Sequence, residues 1–122
     1  AHANPNTQRT DVGVTPLAIA AQNGHAALVD MLLASQADPN IASTDWRRTP
    51  IYLASTMGRL DIVNALIAAH ADVTLRAMDG TSAMWMAQEN GHFEIIDALV
   101  AAGASAIPSR FELRAPRAGF MY

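Results

Sequence analysis

The sequence contains no cysteine and no lysine, and the missing cysteine narrows what the protein can be. Without cysteine there is no disulfide framework, no thiolate zinc site and no thiol nucleophile. The same absence favours a reducing compartment, so we expect an intracellular location, in the cytoplasm or the nucleus. No apolar run approaches the roughly 20 residues that a membrane-spanning helix needs. Residues 1–10 are too polar for the core of a signal peptide.

Basic charge is scarce in most of the chain. Residues 1–109 hold five arginines against ten acidic residues, about −5, whereas residues 110–122 hold three arginines against one glutamate, about +2. An acidic body repels a phosphate backbone. Nucleic-acid binding through the arginine-containing tail is therefore the least favoured of the functions considered.

Signatures of catalysis are also missing. The sequence has no Gly-rich phosphate loop, no HExxH and no GxSxG string. His25 and His92 follow equivalent glycines, and Arg59 takes the same place between them, which indicates a structural role. His2 and His70 lie 68 residues apart and are not expected to share one metal ion. We therefore expect no enzyme activity, no metal and no cofactor.

What the sequence does have is an internal repeat. Three glycines, Gly24, Gly58 and Gly91, are separated by 34 and 33 residues. A second series, of alanines, has intervals of 34, 34 and 33 residues and comprises Ala3, Ala37, Ala71 and Ala104. Two series with one period predict stacked structural units.

Each unit contains signals for two short helices. Thr15-Pro16, Thr49-Pro50 and Ser82-Ala83 are typical helix starts, because the hydroxyl accepts from an unpaired amide and proline needs no partner there. The helix that follows should end after about two turns near the glycine, which can adopt a left-handed backbone at little steric cost. In the second helix, apolar pairs recur every four residues and form one stripe: Leu28-Val29 and Leu32-Leu33, Ile62-Val63 and Leu66-Ile67, Ile95-Ile96 and Leu99-Val100. Such short helices need neighbours, so the units must stack.

These residues resemble the ankyrin repeat family, whose units of about 33 residues carry the motif T-P-L-H-x-A. The match covers about residues 1–107 and is carried by Thr15-Pro16-Leu17, Asn23-Gly24-His25 and Ala37-Asp38-Pro39-Asn40. The resemblance implies an all-α solenoid of stacked helix-turn-helix units joined by hairpin-like loops. We expect three full units, at about 10–42, 43–76 and 77–107, after the end of a partial unit at 1–9. Residues 108–122 are expected to be a C-terminal cap or tail, and the chain to be part of a longer array.

The chain departs from the family pattern at several positions. Arg47 replaces the hairpin glycine that is present as Gly13 and Gly80, which puts the local geometry there in question. Gln36 and His70 stand where Gly103 ends the third unit, and a left-handed backbone would cost each about 1 kcal/mol. Ala18, Tyr52 and Trp85 stand where the family motif has histidine.

Three further features are interpreted as structural. Tyr52 and Trp85, with Met84 and Met86, fall on helical positions that face the stack, so we expect core or half-buried packing for them. The alanines Ala20, Ala21, Ala54 and Ala87 should let the layers approach closely. Asn40 resembles ankyrin asparagines that dioxygenases hydroxylate, but a loop-bonding role is the expected one.

The resemblance implies a protein-protein interaction module that binds a protein or peptide through hairpin tips and first-helix ends, without membrane insertion. The positions carried over by register are Asp11, Val12, Val14, Asn23, Asp45, Trp46, Arg48, Met57, Met78, Asp79, Thr81 and Asn90. We expect the centre at Trp46 with Arg48, beside Arg47 and Met57, because aromatic and guanidinium groups dominate binding energies. Two alternatives are that Trp46 only packs on the neighbouring hairpin, and that the chain is a purely architectural segment of a longer array.

Overall fold

The computed structural model describes residues 14–104, which form six short α-helices arranged as three successive pairs. The first helices of the pairs are α1 (Pro16–Asn23), α3 (Pro50–Met57) and α5 (Ala83–Glu89). The second helices are α2 (Ala26–Ala34), α4 (Leu60–Ala68) and α6 (Phe93–Ala101). Between residues 14 and 104, no helix is long and apolar enough to cross a membrane.

Each first helix begins at the residue that the sequence predicts. The side-chain oxygens of Thr15, Thr49 and Ser82 each accept a hydrogen bond from the amide three residues later, at 3.1–3.2 Å. Each bond satisfies one amide that the helix itself cannot pair, and such a cap stabilises a helix by about 1 kcal/mol. Since all three hydroxyl residues are buried, water could not replace these bonds.

The glycine after each first helix has a left-handed backbone, as predicted, and it has a second role that the sequence did not indicate. Gly58 has a φ of 76° and ends α3. The ring of His92, from the next unit, packs so closely on it that a Cβ at Gly58 would lie 2.7 Å from His92 Cε1. Arg59 covers Gly24 in the same way, with its Cζ 2.7 Å from a Cβ built there. The glycine therefore also leaves room for the following unit.

The three pairs stack in two layers, in which first helices pack on first helices and second helices on second helices. Small side chains allow this close packing, since Ala20, Ala21, Ala54 and Ala87 are all buried, as expected. Leu66 and Leu99 of the second helices are completely buried in the same core. Burial of each such leucine contributes about 1.5–3 kcal/mol.

Side-chain hydrogen bonds and left-handed backbone positions shape the loops that follow the second helices. Asn40 Oδ1 accepts a hydrogen bond from the amide of Asp72, 32 residues away, at 2.7 Å, so Asn40 has the loop-bonding role expected for it. Asp72 Oδ1 in turn accepts from the Thr74 amide at 2.9 Å. Gln36 and His70 have φ values of 74° and 68°, which confirms the left-handed backbone predicted for both.

Alanine substitutions at Gly58 and Gly91 should separate the two roles of the repeated glycine. Both positions have left-handed backbones, with φ of 76° and 72°, so each substitution should cost about 1 kcal/mol of unfolding free energy. Gly58→Ala should lose about 1 kcal/mol more, because the His92 ring must move away and lose its 3.2 Å contact with the Thr56 carbonyl. A Cβ at Gly91 meets nothing within 4 Å. Urea unfolding measures both losses, and equal losses would contradict the packing role.

Candidate functional site

One hairpin loop precedes α3 and another precedes α5, and backbone hydrogen bonds close each loop. In the loop of residues 43–48, the Ser43 amide donates to the Arg48 carbonyl at 3.1 Å and the Arg47 amide to the Ser43 carbonyl at 3.1 Å. In the loop of residues 76–82, the Ala77 amide donates to the Thr81 carbonyl at 2.7 Å. We call these loops the first and second hairpins. Each hairpin tip is thereby held in one backbone conformation.

The two hairpins are bonded to each other. The Met78 amide donates to the Trp46 carbonyl at 2.7 Å. The Tyr52 hydroxyl lies 2.8 Å from the Thr81 hydroxyl, which ties α3 to the second hairpin. Because backbone and side chain both contribute, the hairpins form one continuous surface rather than two separate tips.

A shallow cleft of about 100 Å³ lies where the hairpins meet. It is lined by Trp46, Arg48, Tyr52, Ala77 and Asp79. We define the hairpin surface as this cleft together with the exposed side chains of Arg47, Arg76 and Met78. Asp45 lies at the rim of this surface and is counted with it. The surface then offers two aromatic rings, a thioether, two carboxylates and three guanidinium groups.

A directed chain of hydrogen bonds crosses the cleft. Thr81 Oγ1 donates its proton to Asp79 Oδ1 at 2.6 Å, so it must accept from the Tyr52 hydroxyl. The Thr81 hydroxyl, then the Thr81 amide, and to a smaller extent the charge of Arg48 lower the pKa of Asp79 below its ordinary value of 3.8. Asp79 is therefore ionised near neutral pH and keeps the Thr81 and Tyr52 hydroxyls oriented.

The arginines of the surface are only partly neutralised. Arg48 Nη2 lies 3.7 Å from Asp45 Oδ2, a half-exposed pair of the kind that contributes no more than about 1 kcal/mol. The Ser43 hydroxyl and the Trp46 amide lower the pKa of Asp45, and Arg48 adds a smaller effect. Arg48 Nε is buried and has no hydrogen-bond partner among residues 14–104. The Arg48 side chain as a whole is 38% exposed, so its guanidinium group remains open to solvent beyond the pair with Asp45.

Arg47 occupies a strained backbone position. Its φ is 59°, a region that disfavours any side chain with a Cβ, whereas Gly80 in the second hairpin has a φ of 87°. Arg47 is exposed, and no ion pair joins it to another residue between 14 and 104. The local geometry that the sequence put in question is therefore the glycine geometry, occupied by arginine.

The large apolar side chains at the surface are open to solvent. Trp46 is 56% exposed and Met78 is 57% exposed. The backbone of Trp46 bonds to Met78 of the neighbouring hairpin, whereas more than half of its side chain is exposed. The alternative that Trp46 only packs on that hairpin therefore fits its backbone better than its side chain. The methionine beside Trp46 is Met78, whose backbone amide bonds to the Trp46 carbonyl. Met57, expected near Trp46 from the sequence, lies at the other end of α3, about 12 Å away along the helix axis.

The other predicted contact residues lie in several places. Val14 is half-buried and packs against the buried cluster of Ala18, Tyr52, Leu53 and Ala77. The exposed residues Asn23 and Met57 are the last residues of α1 and α3, and the exposed Asn90 directly follows α5, so all three lie at the ends of the first helices that are farther from the hairpins. Asp11 and Val12 lie outside the residues that the structure describes.

The core assignments are confirmed, with one addition. Met84 is completely buried, and Trp85 and Met86 are half-buried. Tyr52 is buried as predicted, but its hydroxyl also reaches the cleft. Its place in the site depends on Thr81, 29 residues later, and no local signal in the sequence indicates that contact.

No group of three or more His, Asp or Glu side chains between residues 14 and 104 is placed to hold a metal ion.

Comparison with known protein families gives one match. The model of the family described as Ankyrin repeats (3 copies) matches residues 1–77, which is more than half of the chain. That span contains α1 to α4 and ends before α5. The third helix pair repeats the hydroxyl cap and the left-handed glycine of the other two, so the architecture continues beyond the match. No curated protein matches the chain.

Replacement of Arg47 by glycine should stabilise the fold. Glycine adopts a φ of 59° without the clash that a Cβ causes, so the unfolding free energy should rise by about 1 kcal/mol. Arg47→Ala is the matched control, because it removes the same charge and keeps the Cβ. Urea unfolding should therefore rank the glycine variant above both the alanine variant and the unchanged chain. Equal stability of the two variants would show that charge, not backbone strain, sets the effect.

The low pKa of Asp79 predicts how its carboxyl responds to changes at Thr81. Thr81→Val removes the main hydrogen-bond donor and should raise the pKa of Asp79 towards 3.8, whereas Thr81→Ser keeps the donor and should leave it low. A depressed pKa stabilises the fold above the ordinary value, and this contribution is lost as the pH falls through the folded pKa. The valine variant should therefore lose less stability on acidification. NMR titration of the Asp79 carboxyl, with unfolding at each pH, measures both; an unchanged pKa in the valine variant would exclude the hydroxyl as the cause.

Proposed function

Since the chain belongs to the ankyrin repeat family, whose repeats generally bind other proteins, we propose that it binds a partner protein through the hairpin surface. The observation that carries the proposal is the exposed pair of Trp46 and Met78 on hairpins that are bonded to each other. Because the backbone that carries these side chains is already held in place, binding through them costs little backbone conformational entropy. Trp and Arg are also the residue types that most often dominate binding energies.

Charge identifies the kind of partner. Three of the four arginines between residues 14 and 104 lie on the hairpin surface, with two carboxylates, Asp45 and Asp79. The remaining described residues hold one arginine against seven acidic residues. Among residues 14–104, the hairpin surface thus carries net positive charge while the remainder is acidic. It suits a protein segment in which Asp or Glu stands beside a large apolar residue, with the carboxylate on Arg47 or Arg48 and the apolar side chain on Trp46 and Met78.

The strain at Arg47 supports the same proposal. A glycine would fit this backbone better, and an exposed arginine without an ion pair to residues 14–104 adds no evident stability. Unfavourable backbone conformations persist most often at functional sites. A role of the Arg47 charge in partner binding would explain why an arginine stands at this strained position.

Selection of peptides that bind the whole chain from a displayed random library tests the proposal. We expect the selected peptides to combine Asp or Glu with Leu, Phe, Met or Trp, and to bind more weakly as salt rises. Trp46→Ala should reduce the affinity of a selected peptide by at least about tenfold, and Arg48→Ala should weaken binding and flatten its salt dependence.

Phe93→Ala is the matched control. Phe93 is an aromatic side chain of α6 that is even more exposed than Trp46, at 74%, and lies outside the hairpin surface. Its loss should leave the affinity unchanged. Peptides without acidic residues would overturn the proposed chemistry, and a Trp46→Ala variant that binds as well as Phe93→Ala would overturn the proposed location.

A further inference from the structure

The two ends of the described stack expose side chains that are buried where a neighbour is present. Leu28 of α2 is 42% exposed, whereas the equivalent Ile62 of α4 and Ile95 of α6 are buried, at 1% and 2%. Leu32 is half-buried, while its equivalents in the later units are completely buried. We call His25, Leu28 and Leu32 the first edge. It is the side of the first pair that faces away from the second pair.

The opposite end shows the complementary pattern. Val100 of α6 is 46% exposed, whereas its equivalents Leu33 and Ile67 are packed against the core. Ile96 is half-buried, although the equivalent valines in the earlier units are completely buried. We call Gly91, Ile96 and Val100 the last edge.

The contacts inside the stack show what each edge fits. Between the second and third units, the His92 ring lies on Gly58 and its Nε2 lies 3.2 Å from the Thr56 carbonyl. Gly91 is the next glycine in this series, and a Cβ there would meet nothing within 4 Å. His25 is the exposed counterpart of His92 on the first edge. The first edge therefore carries the residue that the last edge has room for.

We propose that the last edge of one copy of this chain binds the first edge of a second copy, head to tail. His25 of one copy would take the place on Gly91 that His92 takes on Gly58, and Leu28 and Leu32 would cover Ile96 and Val100. The contact continues an interface that the chain already forms twice within itself. None of the edge residues carries a carboxylate, so the acidic character of the chain does not oppose the contact there.

Such a contact joins two different surfaces, so it leaves a free edge at each end of the pair. Association then grows with concentration into rows, or closes into a ring, rather than stopping at a symmetric dimer. The edges do not include the hairpin surface, so the proposed partner binding remains available in every copy. Head-to-tail association would present several hairpin surfaces side by side, and this multiplicity raises the apparent affinity for a partner that carries several binding segments.

Mixing two variants of the whole chain tests this geometry. Leu28→Glu disables the first edge and Val100→Glu the last edge, so neither variant can associate with itself. An equimolar mixture retains one intact pair of edges and should form a 1:1 dimer and nothing larger. Sedimentation velocity over rising concentration should show growing mass for the unchanged chain, monomers for each variant and dimers for the mixture.

Leu75→Glu is the control, since Leu75 is an exposed apolar residue in a loop outside both edges and its variant should associate like the unchanged chain. Circular dichroism checks folding, and Leu28→Gln with Val100→Gln replaces any glutamate variant that unfolds. A chain that is monomeric at every concentration would overturn the proposal and indicate that its ends are covered from within or by further repeats. A mixture that stays monomeric, or a single variant that still associates, would overturn it as well.

Discussion

The contact between successive helix pairs is the interaction on which the rest of the structure depends. Helices of seven to nine residues are too short to be stable alone in water, and each has an apolar face that its partner helix covers only in part. The next pair covers the remainder, and the change from exposed Leu28 to buried Ile62 shows how much one neighbour adds. Stability therefore comes from repetition of one interface, and not from a single central core.

The same stacking assembles the candidate site. A first helix that packs on its neighbour brings the hairpin in front of it beside the neighbouring hairpin, where Met78 bonds to Trp46. The Tyr52, Thr81 and Asp79 bonds then hold the two hairpins at one spacing. Because the backbone of this surface is already held in place in the free chain, the proposed binding would cost little backbone entropy.

The sequence predicted best those features that depend on a few neighbouring residues. The Thr49 cap and the end of α3 at Gly58 follow from chemistry within one or two turns, and the structure confirms both. Trp46 and Arg48 could be placed on a hairpin from their register. Their grouping with Tyr52 could not, because it depends on a contact between parts of the chain 29 residues apart.

By itself, the sequence determined the period, the helix ends and the turns, because caps, glycines and apolar stripes act over a few residues. The tertiary structure alone decided which side chains meet across two units. Packing of the His92 ring on Gly58 and bonding of Met78 to Trp46 both depend on the distance and rotation between neighbouring pairs. Those are set by the sum of many small contacts along the stacked helices, and no single motif encodes them.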